Sequence, residues 1–288
     1  MKFKHVLLFM TICMVTLMNA QAIKQDSIQS NLLKRAVSYS IYLPENYNTD
    51  QRSYPVIYLL HGYGDNHTTW IDKGNIAYYA NEAIKSGKIP PVIIVMPDAG
   101  VSMYVNNYDG TNNYEDFFIK EFIPAVENQY RIKKNKYSRA ITGHSMGGWG
   151  CMLYALKYPD LFVAVAPMSA GIHDDEDIIT YDDEKWEIVF GDIFGHDIKA
   201  KKRLNKYWYQ NSILNIVEET PKSELEKVRI RISSGDQDFL LKGSLLLHLA
   251  LSKKQVYHQL RIKDGAHTWQ FWRSDIPEVL EFLGGSFW

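Results

Sequence analysis

Short apolar runs recur along this chain, each closed by glycine or polar turn residues: Ser38 to Leu43, Val56 to Leu60, Val92 to Met96, Arg139 to Thr142, Phe162 to Ala166, Val228 to Ser233 and His258 to Ile262. Between them lie stretches whose apolar positions return with helical period, notably Ile76 to Ile84, Glu115 to Tyr130, Gly148 to Tyr158, Gly243 to Ser252 and Ile276 to Leu283. The pattern therefore predicts strands alternating with helices. Such alternation predicts an α/β fold with a mostly parallel central sheet and helices on both faces. Ligands in sheets of this kind sit beyond the carboxyl ends of the strands, so the polar residues there are the first candidates for chemistry.

Composition narrows the picture. The chain has 288 residues, 46% of them apolar, and a formal net charge of -1. That is enough chain for a substantial core in one domain, and the charge argues against a nucleic-acid binder. No internal repeat or Gly/Ser linker divides residues 23–288, which are expected to form one domain. Its beginning reads differently. Lys2 and Lys4 precede the apolar run Val6 to Met18, and Ala20-Gln21-Ala22 offers a small-x-small cleavage site. This is the pattern of a secretory signal peptide over residues 1–22, cleaved near Ala22. The apolar run is short for a bilayer span, so an exported protein without stable membrane association is expected. Cys13 falls in that run, which leaves Cys151 alone in the mature chain and no internal disulfide; Cys151 is expected to be a buried small apolar residue.

Four strand ends carry the candidate chemistry. Gly143-His144-Ser145-Met146-Gly147 follows one strand and opens a helix, the setting in which G-x-S-x-G forms a nucleophile elbow whose glycines relieve crowding and whose helix points free N–H groups toward the serine. His61-Gly62-Tyr63-Gly64 follows another strand, on a turn able to aim a backbone N–H at a neighbouring site. Ser234-Gly235-Asp236-Gln237-Asp238 places two carboxylates beyond a third, and Gly265-Ala266-His267-Thr268-Trp269 places a histidine beyond the next. The order Ser, Asp, His is that of the α/β-hydrolase triad. Serine needs a base to take its proton, imidazole titrates near the working pH, and a carboxylate fixes the imidazole tautomer. His267 is the expected base. His61 and His144 are read as groups that shape the site, while His173, His196, His248 and His258 lie on no glycine-rich turn after a strand. Asp236 and Asp238 both remain open for the acid.

The extended Ser145-Met146-Gly147-Gly148 elbow, the His61-Gly62-Tyr63-Gly64 loop with Trp70 after it, Met96-Pro97-Asp98, Tyr114-Glu115-Asp116-Phe117-Phe118 and the closing Gly265 to Arg273 stretch together resemble the esterase D-like family of the α/β-hydrolase superfamily. That family includes feruloyl and acetyl-xylan esterases of carbohydrate esterase family 1, S-formylglutathione hydrolases, siderophore esterases and mycolyltransferases. The resemblance runs from about Ser38 to near the C-terminus. It implies the α/β-hydrolase fold, Ser145 as nucleophile, His267 as base and Asp238 as acid, since Gly235 to Leu240 resembles the family's Gly-Thr-x-Asp-x turn. Asp236 stands where a small residue is usual, which leaves it free to cap the turn.

The implied reaction is attack of Ser145 on an ester, with the backbone N–H groups of Tyr63 and Met146 holding the oxyanion, and no cofactor or metal; the mature chain has too few cysteines for a thiolate cluster and no paired histidine spacing. Trp70, Tyr104 and Trp269 are the candidate substrate contacts, and the aromatic-rich stretch 171–220, with Trp186, Tyr207, Trp208 and Tyr209, is a candidate lid or insert. An exported member of this family most resembles an esterase acting on acylated plant cell-wall oligo- or polysaccharide such as xylan. A siderophore trilactone esterase and an acyltransferase are the alternatives. S-formylglutathione hydrolase fits poorly because its substrate is cytosolic.

Overall fold

Eight strands form a single sheet in the order β1-β2-β4-β3-β5-β6-β7-β8 in the computed structural model, which describes residues 23–287. The expected signal peptide lies outside the described residues. The strands are β1 (Ile23–Gln29), β2 (Ala36–Tyr42), β3 (Val56–Leu60), β4 (Ile93–Pro97), β5 (Arg139–His144), β6 (Ala164–Met168), β7 (Arg229–Gly235) and β8 (Gln259–Lys263). Pairing is antiparallel from β1 through β2 to β4 and parallel through the rest of the sheet. The mostly parallel sheet expected from the alternation is therefore the observed one. Every residue of β3 and β4 is buried. Continuous apolar runs such as Val56 to Leu60 and Ile93 to Met96 are what a strand covered on both faces requires.

The helices that provide that cover are α1 (Ile76–Lys85), α2 (Ile123–Gln129), α3 (Met146–Lys157), α4 (Leu241–Lys253) and α5 (Trp269–Gly284). Two apolar cores result. One packs α2, α3 and α4 against one face through residues such as Val126, Cys151, Leu153 and Leu247; the other packs α1 and α5 against the opposite face through Ile76, Ala80, Trp272 and Ile276. Cys151 is a buried free thiol, pushed up in pKa by burial, which fits its expected place in the core.

Two departures from the sequence pattern have physical causes. β1 carries no apolar alternation, because most of Ile23–Gln29 is solvent-facing on an edge strand that pairs only with β2. Helix α5 begins at Trp269 rather than Ile276: the Thr268 hydroxyl accepts from Phe271 N–H and caps it, and Pro277 sits inside. Stretch 171–220 folds into short helices, among them Asp175–Thr180, Lys206–Asn211 and Ile213–Glu219. Its Trp186 and Trp208 are buried and pack with Trp149 of α3, Phe190 and Phe194. Arg203 lies over Trp186 with its guanidinium 4.6 Å from the ring centre. The insert is thus anchored to the helix that follows Ser145.

The chain reverses its direction of travel across the sheet at β3. From β3 it winds outward to β4, then returns so that β5 lies on the other side of β3, with Leu60 opposite Gly143. A crevice opens at such a switch point. The loop after β3 and the turn after β5 face each other across it, and the turns after β7 and β8 are likewise neighbours.

Candidate active site

Ser145 stands between β5 and α3 with φ 55° and ψ -118°, a conformation costly for a residue with a Cβ. The turn is so tight that a Cβ on Gly143 would come within 2.5 Å of the Gly147 carbonyl oxygen, and one on Gly147 within 2.5 Å of the Leu60 carbonyl oxygen. Only glycine fits either position without moving backbone. This is the steric reason for the G-x-S-x-G spacing. The serine carbonyl accepts from Trp149 and Gly171 N–H groups, and its own N–H donates to Met168 O, so the strained residue is tied on both sides.

His267, on the turn after β8, places Nε2 3.0 Å from Ser145 Oγ. Its Nδ1 lies 3.0 Å from each carboxylate oxygen of Asp238. A carboxylate only accepts, so Nδ1 carries the proton and Nε2 is left to accept the Ser145 hydroxyl. Burial opposes the ionised form of Asp238, yet hydrogen bonds from His267, the Ser169 hydroxyl and Leu240 N–H outweigh it and hold the carboxyl below its ordinary pKa. Asp236 is exposed and accepts from Gly265 N–H at 3.1 Å. It ties the turn after β7 to the turn after β8 and does not reach the imidazole, which separates the two candidate carboxylates.

The His61-Gly62-Tyr63 loop faces the elbow. His61 is buried, its Nδ1–H donates to Gly62 O at 2.8 Å and its Nε2 accepts from Ala99 N–H at 2.9 Å, so it stiffens the loop as a neutral ring whose pKa burial lowers. Neither the Tyr63 nor the Met146 backbone N–H donates to another described residue. Such free N–H groups, one at a helix N-terminus, suit a developing negative charge. Among the described residues, no cluster of three or more His, Cys, Asp or Glu side chains is grouped to hold a metal ion.

The family described as "Putative esterase" matches residues 30–283 of this chain. The chain belongs to the Esterase family. A 163-residue stretch is 32% identical to the endo-1,4-beta-xylanase/feruloyl esterase of Xylanibacter ruminicola, covering 54% of this chain and 22% of that protein. The acetyl esterase of Caldicellulosiruptor saccharolyticus is 24% identical over 278 residues, covering 91% of this chain and 98% of the relative. A solved ferulic acid esterase superposes with a TM-score of 0.78 at 30% identity, over 92% of this chain and 98% of that one. The chain thus spans about a fifth of the first of these relatives and nearly all of the other two. The expected α/β-hydrolase fold and family resemblance both hold.

Two of the three candidate substrate contacts, Trp70 and Tyr104, need correction in this Esterase-family member. Trp70 is buried, donates through Nε1 to Leu60 O at 3.3 Å and packs edge-on to His144 and Trp269. Tyr104 is buried as well, with its hydroxyl donating to His61 O at 3.0 Å. Both rings support the site from behind, where a substrate cannot touch them. Trp269 is partly buried against Trp70, His144 and Trp272. Phe239, 77% exposed, stands beside the site with its ring 4.6 Å from that of His267. Phe239 also lines a cavity of about 410 Å³, together with Ile172, Tyr181, Lys185 and Lys242. Its signal was adjacency to Asp238 on an apolar residue in a turn. Ser169, missed likewise, stands directly beyond β6 and is legible by the same strand-end logic: it accepts from Trp272 Nε1–H at 3.1 Å and donates to Asp238.

Proposed function

We propose that this chain is an exported serine carboxylic-ester hydrolase that releases feruloyl or acetyl groups from plant cell-wall polysaccharide, xylan foremost. The observation that carries the reading is His267 bridging Ser145 and Asp238 at 3.0 Å on each side. Ser145 Oγ attacks the ester carbonyl carbon as its proton passes to His267 Nε2, and the C–O bond to the alcohol breaks as that proton is delivered to the leaving oxygen. Water then attacks the acyl-enzyme with His267 again as base, freeing the acid and restoring Ser145. Tyr63 and Met146 N–H groups hold the oxyanion; loss of one such donor costs about 3 to 4 kcal/mol. The likeness to a ferulic acid esterase and to an acetyl esterase supports the acyl classes. The basic and apolar pattern of residues 1–22 supports export.

The test is turnover of methyl ferulate, 4-nitrophenyl acetate and feruloylated or acetylated xylo-oligosaccharides by residues 23–288. Ser145→Ala is expected to lose about six orders of magnitude in kcat. Undiminished turnover by that variant would sink the mechanism, and preference for a trilactone or a sugar acceptor over water would replace the substrate.

A further inference from the structure

His144, the residue before Ser145, is 1% exposed and takes no part in the proton transfers. Its ring is caged by Trp70, Trp269 and Trp272, with centroids 5.2, 4.8 and 4.1 Å away. Nε2 lies 3.2 Å from Oδ2 of Asp65. Nδ1 has no partner among the described residues, so the polar bonding of this ring is directed to Asp65 alone. The acceptor there is a carboxylate, which puts the proton on Nε2. Burial lowers the pKa of His144 to about 4, against the opposing pull of Asp65, and the ring is neutral under ordinary conditions.

Asp65 belongs to the loop that carries Tyr63, and its N–H donates to Gly62 O. Gly62 itself packs close against the imidazole: a Cβ there would come within 2.7 Å of His144 Nε2. The other side-chain contact of Asp65 is Lys73, at 3.4 Å and largely exposed. The side-chain hydrogen bond from this loop to the elbow is therefore the one to the caged histidine, whose backbone continues directly into Ser145.

We propose that His144 is a positioning residue, whose hydrogen bond to Asp65 sets the Tyr63 N–H against the oxyanion formed at Ser145. It rests on the serine-esterase reading. The bond joins the two halves of the oxyanion site through one rigid ring, and its loss lets the Tyr63 half drift while Met146 stays in place. Substrate affinity depends little on that N–H, whereas the transition state depends on it strongly.

The test compares His144→Phe, His144→Gln, His144→Asn and Asp65→Ala on 4-nitrophenyl acetate, with thermal unfolding recorded for each. Gln carries an amide nitrogen near the position of Nε2 and Asn one near Nδ1. His144→Phe, His144→Asn and Asp65→Ala are expected to lower kcat by about tenfold to a hundredfold, with KM changed less than about twofold, because small displacements of an oxyanion donor act on the transition state. His144→Gln restores most of kcat, and Asp65→Ala combined with His144→Phe is no worse than either alone. Folded variants with wild-type kcat, or a drop that Gln does not rescue, overturn the proposal. If His144→Phe fails to fold, Asp65→Ala at the partly exposed end of the bond decides by the same kcat and KM criterion. Failure of the serine-esterase reading is distinguishable, because it would appear as turnover surviving in Ser145→Ala.

Discussion

Asp238 meets His267 symmetrically, with both carboxylate oxygens 3.0 Å from one ring nitrogen. That contact fixes the ring plane as well as the tautomer, and the Ser169 hydroxyl and Leu240 N–H hold the carboxylate in turn. The neighbouring carboxylate of Asp236 is occupied with the Gly265 N–H instead. Two acidic residues two positions apart are thus assigned different work by the turn between them.

Asn substitution separates the two. Asp238→Asn keeps the shape but offers its amide N–H to Nδ1, which favours the wrong tautomer, and is expected to lower kcat about 10⁴-fold. Asp236→Asn retains an acceptor for Gly265 N–H, so kcat should stay within about threefold and stability within about 0.5 kcal/mol, as for surface changes. Steady-state kinetics and urea unfolding on both variants check this. Equal losses in the two would contradict the assignment.

The positive φ of Ser145 predicts a trade between activity and stability. An L residue held at φ 55° and ψ -118° carries strain of about 1 to 3 kcal/mol, whereas glycine adopts positive φ freely at some entropic cost in the unfolded chain. Ser145→Gly should therefore be more stable than Ser145→Ala by about 1 kcal/mol, with both inactive. Urea denaturation of the pair measures the difference, and a more stable alanine variant would show that the elbow is unstrained.

Much of this site was legible in the sequence because its parts sit on glycine-containing turns that follow strands: Ser145 directly after the buried β5, Asp238 after β7 and His267 after the half-exposed β8. Ser145, Asp238 and His267 were readable for that reason, and so was the sheet. The aromatic walls were not. Trp70, Tyr104 and Phe239 are each a ring near a turn in the sequence, and only the packing decides which faces solvent: Trp70 and Tyr104 are consumed by the core, while Phe239 follows the buried Asp238 and stays exposed. The edge strand β1 was hidden because half-exposed polar residues carry no period.

Acid should destabilise the fold through His144. In the folded chain it stays neutral to about pH 4, while in the unfolded chain it binds a proton below about 6.5. Between those values the unfolded state holds more protons, so stability is complete above about pH 7 and falls as the pH drops toward 4, by on the order of 3 kcal/mol for this group. Asp65 favours the charged ring, and His61 and His267 nearby oppose it. Urea midpoints at pH 7.5, 6 and 5 should fall less in His144→Gln than in the wild type. His61 is also lowered by burial, so part of the slope survives in the variant. Parallel slopes in the two proteins would remove His144 from the account.

Phe239 offers the sharpest test of what the site accepts. Its ring borders His267 at 4.6 Å and opens onto the cavity of about 410 Å³ shared with Tyr181 and Lys185. A ring 77% exposed contributes little to the core, so Phe239→Ala should leave stability within about 0.5 kcal/mol of the wild type. A planar acyl group packed on that ring gains about 0.5 to 1.5 kcal/mol, so the variant should raise KM for methyl ferulate about twofold to tenfold. The acetyl group of 4-nitrophenyl acetate is too small to share the contact, and kcat with that ester should remain within about twofold because Ser145, His267 and Asp238 are untouched. The ratio of KM changes between the two esters is the measurement. A ratio near one would place the acyl group elsewhere and leave Phe239 as a solvent-exposed shield over the imidazole.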